Sequence, residues 1–275
     1  MKGKLHTVLT VVLALVLLGS VGAILYRQLD YRQGEADYAD AESLAGIPQE
    51  TVVSLQSEKQ PEAEPEQTAE ELPAAEEEPD PKEQLLSVLA QTDIAALRAV
   101  NSEVLGWITI PGTAVNYPIL RGADNDYYLD HNWKKERSSV GAIFMDYRSS
   151  GEFTAENTLI YGHNMKNGSM FGCLKHYAAE GYWEAHPAVY IVDDTGVRQF
   201  DIYAVYEAGV ETATYERTFE DDTEKESFLN HCLRKSVVNT GVVPAAEDSI
   251  ITLSTCTGSG YATRWVVQAV QQNRE

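Results

Sequence analysis

Two residues near the end of the sequence combine a nucleophile with a cation. Cys256 ends the apolar run Ile250–Thr255, and Arg264 stands eight residues later, where a second apolar run begins. Both runs contain the β-branched and aromatic residues typical of strands, and a Gly-Ser-Gly sequence favours a tight turn between them. Such a hairpin predicts the thiol and the guanidinium at the same end of a sheet. This pairing suits nucleophilic catalysis, in which a thiolate attacks and a cation stabilises developing negative charge.

A proton carrier is the remaining requirement, because the thiolate is the reactive form of cysteine. Among six histidines, His163 is the best placed, since it follows the strand-like run Asn157–Tyr161 and adjoins Gly162. Loops at strand ends commonly display catalytic groups. A single cysteine or histidine is more often structural than catalytic. Together, however, His163, Cys256 and Arg264 predict one catalytic site.

The composition excludes several function classes. The net charge is −21 and the isoelectric point is about 4.6, so the chain lacks the basic surface that nucleic-acid binding requires. Cys173, Cys232 and Cys256 form no CxxC motif, and their odd number does not suit a disulfide scaffold. We expect Cys173 and Cys232 to be small core residues. The acidic residues show no EF-hand or HExxH spacing, so we expect neither a metal nor a cofactor.

Residues 1–29 predict a membrane anchor. Lys2 and Lys4 precede an uncharged apolar run from Thr7 to Leu25, which is about long enough to cross a hydrocarbon core as a helix. The early lysines favour a cytoplasmic N-terminus and export of the rest of the chain. A cleaved secretory signal is the alternative, because Ser20–Ala23 contains small residues that a peptidase accepts. The length of the run and the lack of an Ala-x-Ala sequence favour the uncleaved anchor.

Residues 30–80 predict a disordered acidic linker. No apolar periodicity is sustained there, and residues 58–80 are rich in Glu, Pro, Ala and Gln. Such a segment offers too little apolar surface to offset the entropy lost when a chain becomes ordered. We therefore expect a stalk between the membrane and a folded domain at 81–275.

The folded domain is expected to be mostly β with inserted helices. A capped helix begins at Asp80-Pro81 and a second begins near Thr92, and both are expected to pack outside the sheet. A third helix is predicted at 219–235, before the strand that ends at Cys256. Apolar runs bounded by turn residues predict strands at 104–110, 115–120, 141–146, 157–161, 189–192, 200–206, 250–255 and 264–270. About eight short strands with helices in their connections favour a closed barrel.

Several motifs, in this order along the chain, resemble the class B sortases. They are GWITIPGTAVNYPIL at 106–120, DNDYYLDH at 124–131, GAIFMDYR at 141–148, NTLIYGHNM at 157–165, HNMKNGSMFGCLKHY at 163–177, and TLSTC at 252–256 followed by Arg264. The resemblance extends over roughly residues 84–270. It implies a closed sortase-type β-barrel of about eight strands, with one helix inserted between the sixth and seventh strands.

The resemblance also implies a role for each matching residue. Cys256 matches the nucleophile, His163 the general acid and base, and Arg264 the residue that positions or stabilises the scissile carbonyl. Weaker matches imply a substrate groove lined by Asn125, Leu129, Tyr215 and Ser254.

The implied reaction is transpeptidation. The thiolate attacks the bond after Thr in the C-terminal sorting motif of a secreted protein, a thioester forms, and an amine of a peptidoglycan precursor then takes over the chain. The implied location is the cell membrane, with one span and an extracellular catalytic domain. The alternatives are a pilus-assembling sortase with a Lys acceptor, a hydrolytic cysteine peptidase, and an exported binding module without activity. The joint presence of Cys256, His163 and Arg264 disfavours the module.

Overall fold

Eight strands and five α-helices occur in the part of the chain that the computed structural model describes, namely residues 2–47, 80–257 and 262–272. The strands are β1 (Val104–Thr109), β2 (Asn116–Leu120), β3 (Ile143–Met145), β4 (Asn157–Tyr161), β5 (Ala188–Asp193), β6 (Gly196–Gly209), β7 (Ile250–Cys256) and β8 (Thr263–Gln271). The helices are α1 (Lys2–Ala45), α2 (Pro81–Leu89), α3 (Ile94–Val100), α4 (Tyr182–Ala185) and α5 (Asp222–Lys235).

The strands form one closed barrel in the order β1-β2-β3-β4-β7-β8-β6-β5, which confirms the expected fold class. Most neighbouring strands are antiparallel, but β2 and β3 are parallel, and so are β4 and β7. β6 is longer than the strand predicted at 200–206. It pairs with β5 along its first part and with β8 along its second, so both halves are held in the sheet.

The barrel is held together by the main hydrophobic core. Fully buried large side chains include Trp107 on β1, Phe144 on β3 and Phe200 on β6. Fully burying a large apolar side chain contributes about 1.5–3 kcal/mol. Because side chains alternate between the two faces of a strand, a register slip of one residue would expose these groups. The core therefore fixes the strand register on which the site depends.

Helices lie outside the barrel, as predicted. Asp80 caps α2 by accepting a hydrogen bond of 3.0 Å from the Lys82 amide. α5 lies in the connection between β6 and β7, and it places Phe228 and Cys232 in a second apolar cluster with residues of β6. The helix expected before the Cys256 strand is thus confirmed, although it begins at Asp222 and not at 219.

The structure differs from the sequence prediction at residues 30–47. α1 runs without a break from the apolar segment through Ala45, and its second half packs on the barrel instead of forming a disordered linker. Tyr38, Ala41 and Ala45 recur at helical spacing and are buried. The prediction missed this face because its few small and aromatic residues alternate with acidic ones. The rest of the expected linker, residues 48–79, lies outside the described residues.

The first half of α1 has the length and composition of a membrane span. Among the described residues, the stretch Thr10–Ala45 contains the one candidate span. Leu13, Leu17 and Leu25 in this half are exposed, as expected for side chains that contact lipid. Length and composition therefore fit the predicted anchor.

Candidate active site

The parallel pairing of β4 with β7 brings His163 next to Cys256. Tyr161 and Ser254 are partners in this ladder. His163 follows Tyr161 by two residues, and Cys256 follows Ser254 by two residues. Both residues therefore lie at the same end of two adjacent strands. The Asn164 side chain strengthens the junction, because its Nδ2 donates a 2.7 Å hydrogen bond to the Cys256 carbonyl.

The hairpin of β7 and β8 places Cys256 and Arg264 side by side. They are direct partners in the antiparallel ladder, so their side chains project from the same face of the sheet. Both residues are half-buried. Arg264 donates from Nη1 to the Thr263 carbonyl at 3.0 Å, which restrains the guanidinium near the strand. The predicted turn at 258–260 lies outside the described residues.

His163 is held by a main-chain carbonyl. Its Nε2 lies 2.6 Å from the Leu129 oxygen. Because a carbonyl only accepts hydrogen bonds, Nε2 carries a proton and Nδ1 is the nitrogen available for proton exchange. No hydrogen bond joins His163 to Cys256 among the described residues. The site is therefore assembled by strand register and not by a preformed Cys–His contact.

Tyr215 and Ser254 adjoin the hairpin. The Tyr215 hydroxyl lies 3.1 Å from Ser254 Oγ, and Ser254 precedes Cys256 by two residues on β7. Burial raises the pKa of Tyr215, while the Ser254 hydrogen bond and the Arg264 charge lower it and the Cys256 thiolate raises it. The contact with Ser254 places the Tyr215 hydroxyl next to β7, the strand that ends at Cys256.

Asn125 and Leu129 belong to the segment that contacts His163 through the Leu129 carbonyl. The Leu129 side chain is exposed, and its carbonyl holds His163. The hydrogen bonds of Asn125 are to other residues. Its Nδ2 donates to Asp146 Oδ2 at 3.0 Å, and its Oδ1 accepts from the Tyr147 amide at 3.0 Å. The structure thus brings five of the seven candidate residues to one end of β4, β7 and β8 and connects Leu129 and Asn125 to it through neighbouring residues.

Three supporting residues were not identified from the sequence. Gly141 packs against the His163 ring, Asn164 binds the Cys256 carbonyl, and Asp146 gathers several polar side chains. Gly141 and Asp146 lie within the GAIFMDYR motif and Asn164 lies within NTLIYGHNM, but only the folded chain shows what each contacts. Within the described part of the chain, no three His, Cys, Asp or Glu side chains come close enough to hold a metal.

The cysteines outside the hairpin are unpaired and buried. Cys173 and Cys232 are not in a disulfide. Burial raises the pKa of each thiol, which disfavours the reactive thiolate. Cys256 is the one partly exposed thiol of the three, so accessibility also selects it as the candidate nucleophile.

Comparison with known proteins identifies the family. The sortase domain model matches residues 108–272. Sortase B of Listeria monocytogenes serovar 1/2a is 42% identical over 164 residues, covering 60% of this chain and 67% of the relative. Sortase B of Staphylococcus aureus is 34% identical over 161 residues, covering 58% of this chain and 66% of the relative.

Solved structures agree with this match. The S. aureus sortase B–substrate complex has a TM-score of 0.67 at 27% identity, and B. anthracis sortase B in complex with AAEK1 has a TM-score of 0.67 at 33% identity. Each match covers 90% of this chain and 100% of the solved chain. The chain therefore belongs to the sortase family, with sortases of class B as its relatives, and is a cysteine transpeptidase.

Proposed function

We propose that this enzyme cleaves the sorting motif of a secreted protein after Thr and transfers the new carboxyl end to an amine of a peptidoglycan precursor. The observation that carries the proposal is the direct pairing of Cys256 with Arg264 beside His163 at one end of the barrel. A nucleophile, a cation and a proton carrier are what acyl transfer through a thioester requires.

The first half-reaction forms the thioester. The Cys256 thiolate attacks the carbonyl carbon of Thr, and the carbonyl oxygen becomes an oxyanion that the Arg264 guanidinium stabilises. Collapse of this intermediate breaks the C–N bond. His163 Nδ1 gives a proton to the departing amine, so the C-terminal fragment leaves as a neutral amine and the Thr acyl group stays on sulfur.

The second half-reaction reverses these roles. An acceptor amine attacks the thioester carbon, and Arg264 again stabilises the oxyanion. His163 Nδ1 takes the proton that the attacking amine loses. Cleavage of the C–S bond returns the Cys256 thiolate and releases an amide-linked product.

The substrate is proposed to bind along Asn125, Leu129, Tyr215 and Ser254. Leu129 is exposed and Asn125 and Tyr215 are half-buried, whereas Ser254 is buried and hydrogen-bonded to Tyr215. A peptide bound along the accessible side chains would place its scissile bond near the thiol. A sortase B–substrate complex among the related structures supports binding of a substrate by this fold.

The proposed location is the cell membrane, with the N-terminus cytoplasmic and the catalytic domain outside. Lys2 and Lys4 precede the apolar half of α1, and positive charge is retained on the cytoplasmic side. Secreted substrates and peptidoglycan precursors would then meet the enzyme on the outer surface of the membrane.

The proposal is tested with the full chain in detergent micelles and a quenched library of peptides that contain Thr-Asn or Thr-Gly. We expect cleavage, and in the presence of a glycine peptide we expect an amide-linked product. Hydroxylamine should trap the thioester. Cys256→Ala should abolish cleavage, whereas Cys232→Ala, a buried thiol outside the site, should retain it.

Other outcomes would select the alternatives. Cleavage at a rate and product distribution unaffected by any amine would indicate a hydrolytic peptidase. Transfer to a lysine peptide in preference to the glycine peptide would indicate a pilus-assembling enzyme. Full activity of Cys256→Ala would refute the assignment of the nucleophile.

A further inference from the structure

We infer that Asp146 is a positioning residue for two groove side chains, Asn125 and Tyr161. It determines which hydrogen-bond donor or acceptor each of them presents to a ligand. The inference rests on the proposed function, because it concerns how the sorting peptide is bound. Tyr161 is half-buried, precedes His163 by two residues and pairs with Ser254. It therefore belongs to the wall of the same groove.

Asp146 lies directly after β3 and is completely buried. Its Oδ2 accepts hydrogen bonds of 3.0 Å from both Asn125 Nδ2 and the Tyr161 hydroxyl. Arg148 donates to the same carboxylate three times, from its amide at 3.0 Å, from Nε at 2.8 Å and from Nη2 at 2.7 Å. One carboxylate thus joins residues from three segments of the chain.

The carboxylate is ionised at every pH at which the protein would work. Burial by itself raises the pKa of Asp146, but the hydrogen bonds from Arg148, Asn125 and Tyr161 outweigh burial and lower this pKa to about 2. An ionised carboxylate has no proton to donate and only accepts hydrogen bonds. Every group that contacts it must therefore donate.

This constraint decides what Tyr161 and Asn125 present to a ligand. Burial and the adjacent Asp146 raise the pKa of Tyr161, so its hydroxyl keeps its proton and points it at Asp146. The Tyr161 oxygen then offers only lone pairs to the groove. Asn125 gives one N–H to Asp146 and uses its oxygen for the Tyr147 amide, so its amide cannot flip and one N–H remains for a ligand.

The resulting pair is complementary to an extended peptide. The Tyr161 oxygen accepts from a ligand N–H, and the second Asn125 N–H donates to a ligand carbonyl. A peptide backbone carries both groups, and a side-chain carboxamide also does so. Asp146 itself, being completely buried, does not touch the peptide and acts only through these two residues.

A purely structural role makes a different prediction. The Asp146–Arg148 ion pair could serve only to hold the turn after β3, where the Ser149 amide donates to the Asp146 carbonyl at 2.9 Å. In that case substitution of Asp146 would lower thermal stability and all activities together. The polarity of Tyr161 would not matter.

The test compares Asp146→Asn with the wild-type full chain in detergent, using the library peptide that the wild type cleaves fastest. The new amide can donate to the Tyr161 oxygen and reverse its polarity. We expect KM to rise on the order of tenfold, because the peptide would lose about one well-formed hydrogen bond. We expect alkylation of Cys256 by iodoacetamide to stay within about twofold, because the thiol is not altered.

A matched control and a double variant separate the two roles. Asp193→Asn removes another carboxylate paired with an arginine, Arg198, at the far end of β5, and it should leave KM unchanged. Tyr161→Phe should also raise KM. If Asp146 acts through Tyr161, the variant with both substitutions will show a smaller KM increase than the product of the two single increases.

Three results would overturn the inference. The first is an unchanged KM in Asp146→Asn. The second is a fall in the melting temperature of this variant together with slower alkylation of Cys256 by iodoacetamide. The third is a KM increase in the double variant equal to the product of the increases for Asp146→Asn and Tyr161→Phe. A wild-type enzyme that cleaves no library peptide would instead contradict the proposed function, and the inference with it.

Discussion

Gly141 adopts a left-handed backbone conformation beside the His163 ring, with φ of 62°. A Cβ atom built there would lie 2.8 Å from His163 Cδ2 and 2.9 Å from the Leu129 oxygen. The same oxygen accepts the Nε2 hydrogen bond of His163. A residue without a side chain therefore creates the space that sets the ring position and, through that bond, the tautomer of the proton carrier.

We predict that Gly141→Ala destabilises the fold by about 2 kcal/mol or more and lowers kcat, because backbone strain adds to displacement of His163. Urea unfolding and peptide cleavage measure the two effects. Gly181→Ala is the matched control: its φ is 80°, but nothing lies within 4 Å of the added Cβ. It should cost about 1–2 kcal/mol and leave kcat unchanged. Equal kcat values for wild type and Gly141→Ala would contradict this account of how His163 is positioned.

At the scale of elements, the second half of α1 connects the membrane-spanning segment to the site. The Tyr38 hydroxyl donates to the Gly141 carbonyl at 2.6 Å, and the Tyr38 ring packs edge-on against Tyr117 at 5.1 Å. On the same helix, the Asp37 carboxylate accepts from Asn132 Nδ2 at 2.8 Å. α1 thus supports the segment that carries Gly141, and Gly141 packs against the His163 ring.

We predict that Tyr38→Phe destabilises the full chain by about 1–3 kcal/mol, because the buried Gly141 carbonyl loses its hydrogen-bond donor. Chemical unfolding in detergent measures this change. Tyr31→Phe on the same helix is the control, since no hydrogen bond of the Tyr31 hydroxyl occurs among the described residues. It should change stability by less than about 0.5 kcal/mol. Equal stabilities of the two variants would show that the Tyr38–Gly141 bond contributes nothing.

Most features determined by residues close together in the sequence were predicted correctly, whereas several features determined by residues far apart were not. Local apolar runs predicted the strands, and Asp80 with Pro81 predicted the start of α2, because these signals lie within a few neighbouring residues. The parallel pairing of β4 with β7 depends on strands far apart in sequence. Local patterns could therefore suggest His163 and Cys256 as members of one site, but only the folded chain shows the strand pairing that places them next to each other.

Other features could not be predicted for related reasons. Asp37 lies in an acidic segment and would be expected to be exposed. It is buried because Asn132 and Lys134, from a loop distant in sequence, form a hydrogen bond and an ion pair with its carboxylate. Asp146 is a similar case, since its donors Asn125 and Tyr161 come from separate elements. Buried charges are specified by partners, and those partners are known only once the chain is folded.

At the scale of the whole molecule, one continuous helix joins the apolar segment to the barrel. α1 has 44 residues, which corresponds to roughly 66 Å at 1.5 Å per residue. Its first half exposes leucines, whereas its second half buries Tyr38, Ala41 and Ala45 against the barrel. With the first half in the bilayer, the helix would hold the catalytic domain close to the membrane surface and limit its reorientation.

The membrane anchor predicts a specific response to charge. Leu15 and Leu18 are 64% and 68% exposed on the apolar half of α1, and each Asp placed near the centre of a span costs about 2.5–3.5 kcal/mol. The double substitution Leu15→Asp with Leu18→Asp should therefore move the protein from the membrane fraction to the soluble fraction. Cleavage of the peptide should persist, because both positions lie far from the barrel along α1.

Leu44→Asp is the matched control for this experiment. Leu44 is 42% exposed on the same helix, but it belongs to the half that packs on the barrel, so its substitution should leave the protein in the membrane fraction. Fractionation followed by N-terminal sequencing reads out both variants. A soluble wild-type protein that begins near residue 24 would identify the apolar segment as a cleaved signal. In that case residues 30–47 would still cover the barrel, and only the membrane attachment would be lost.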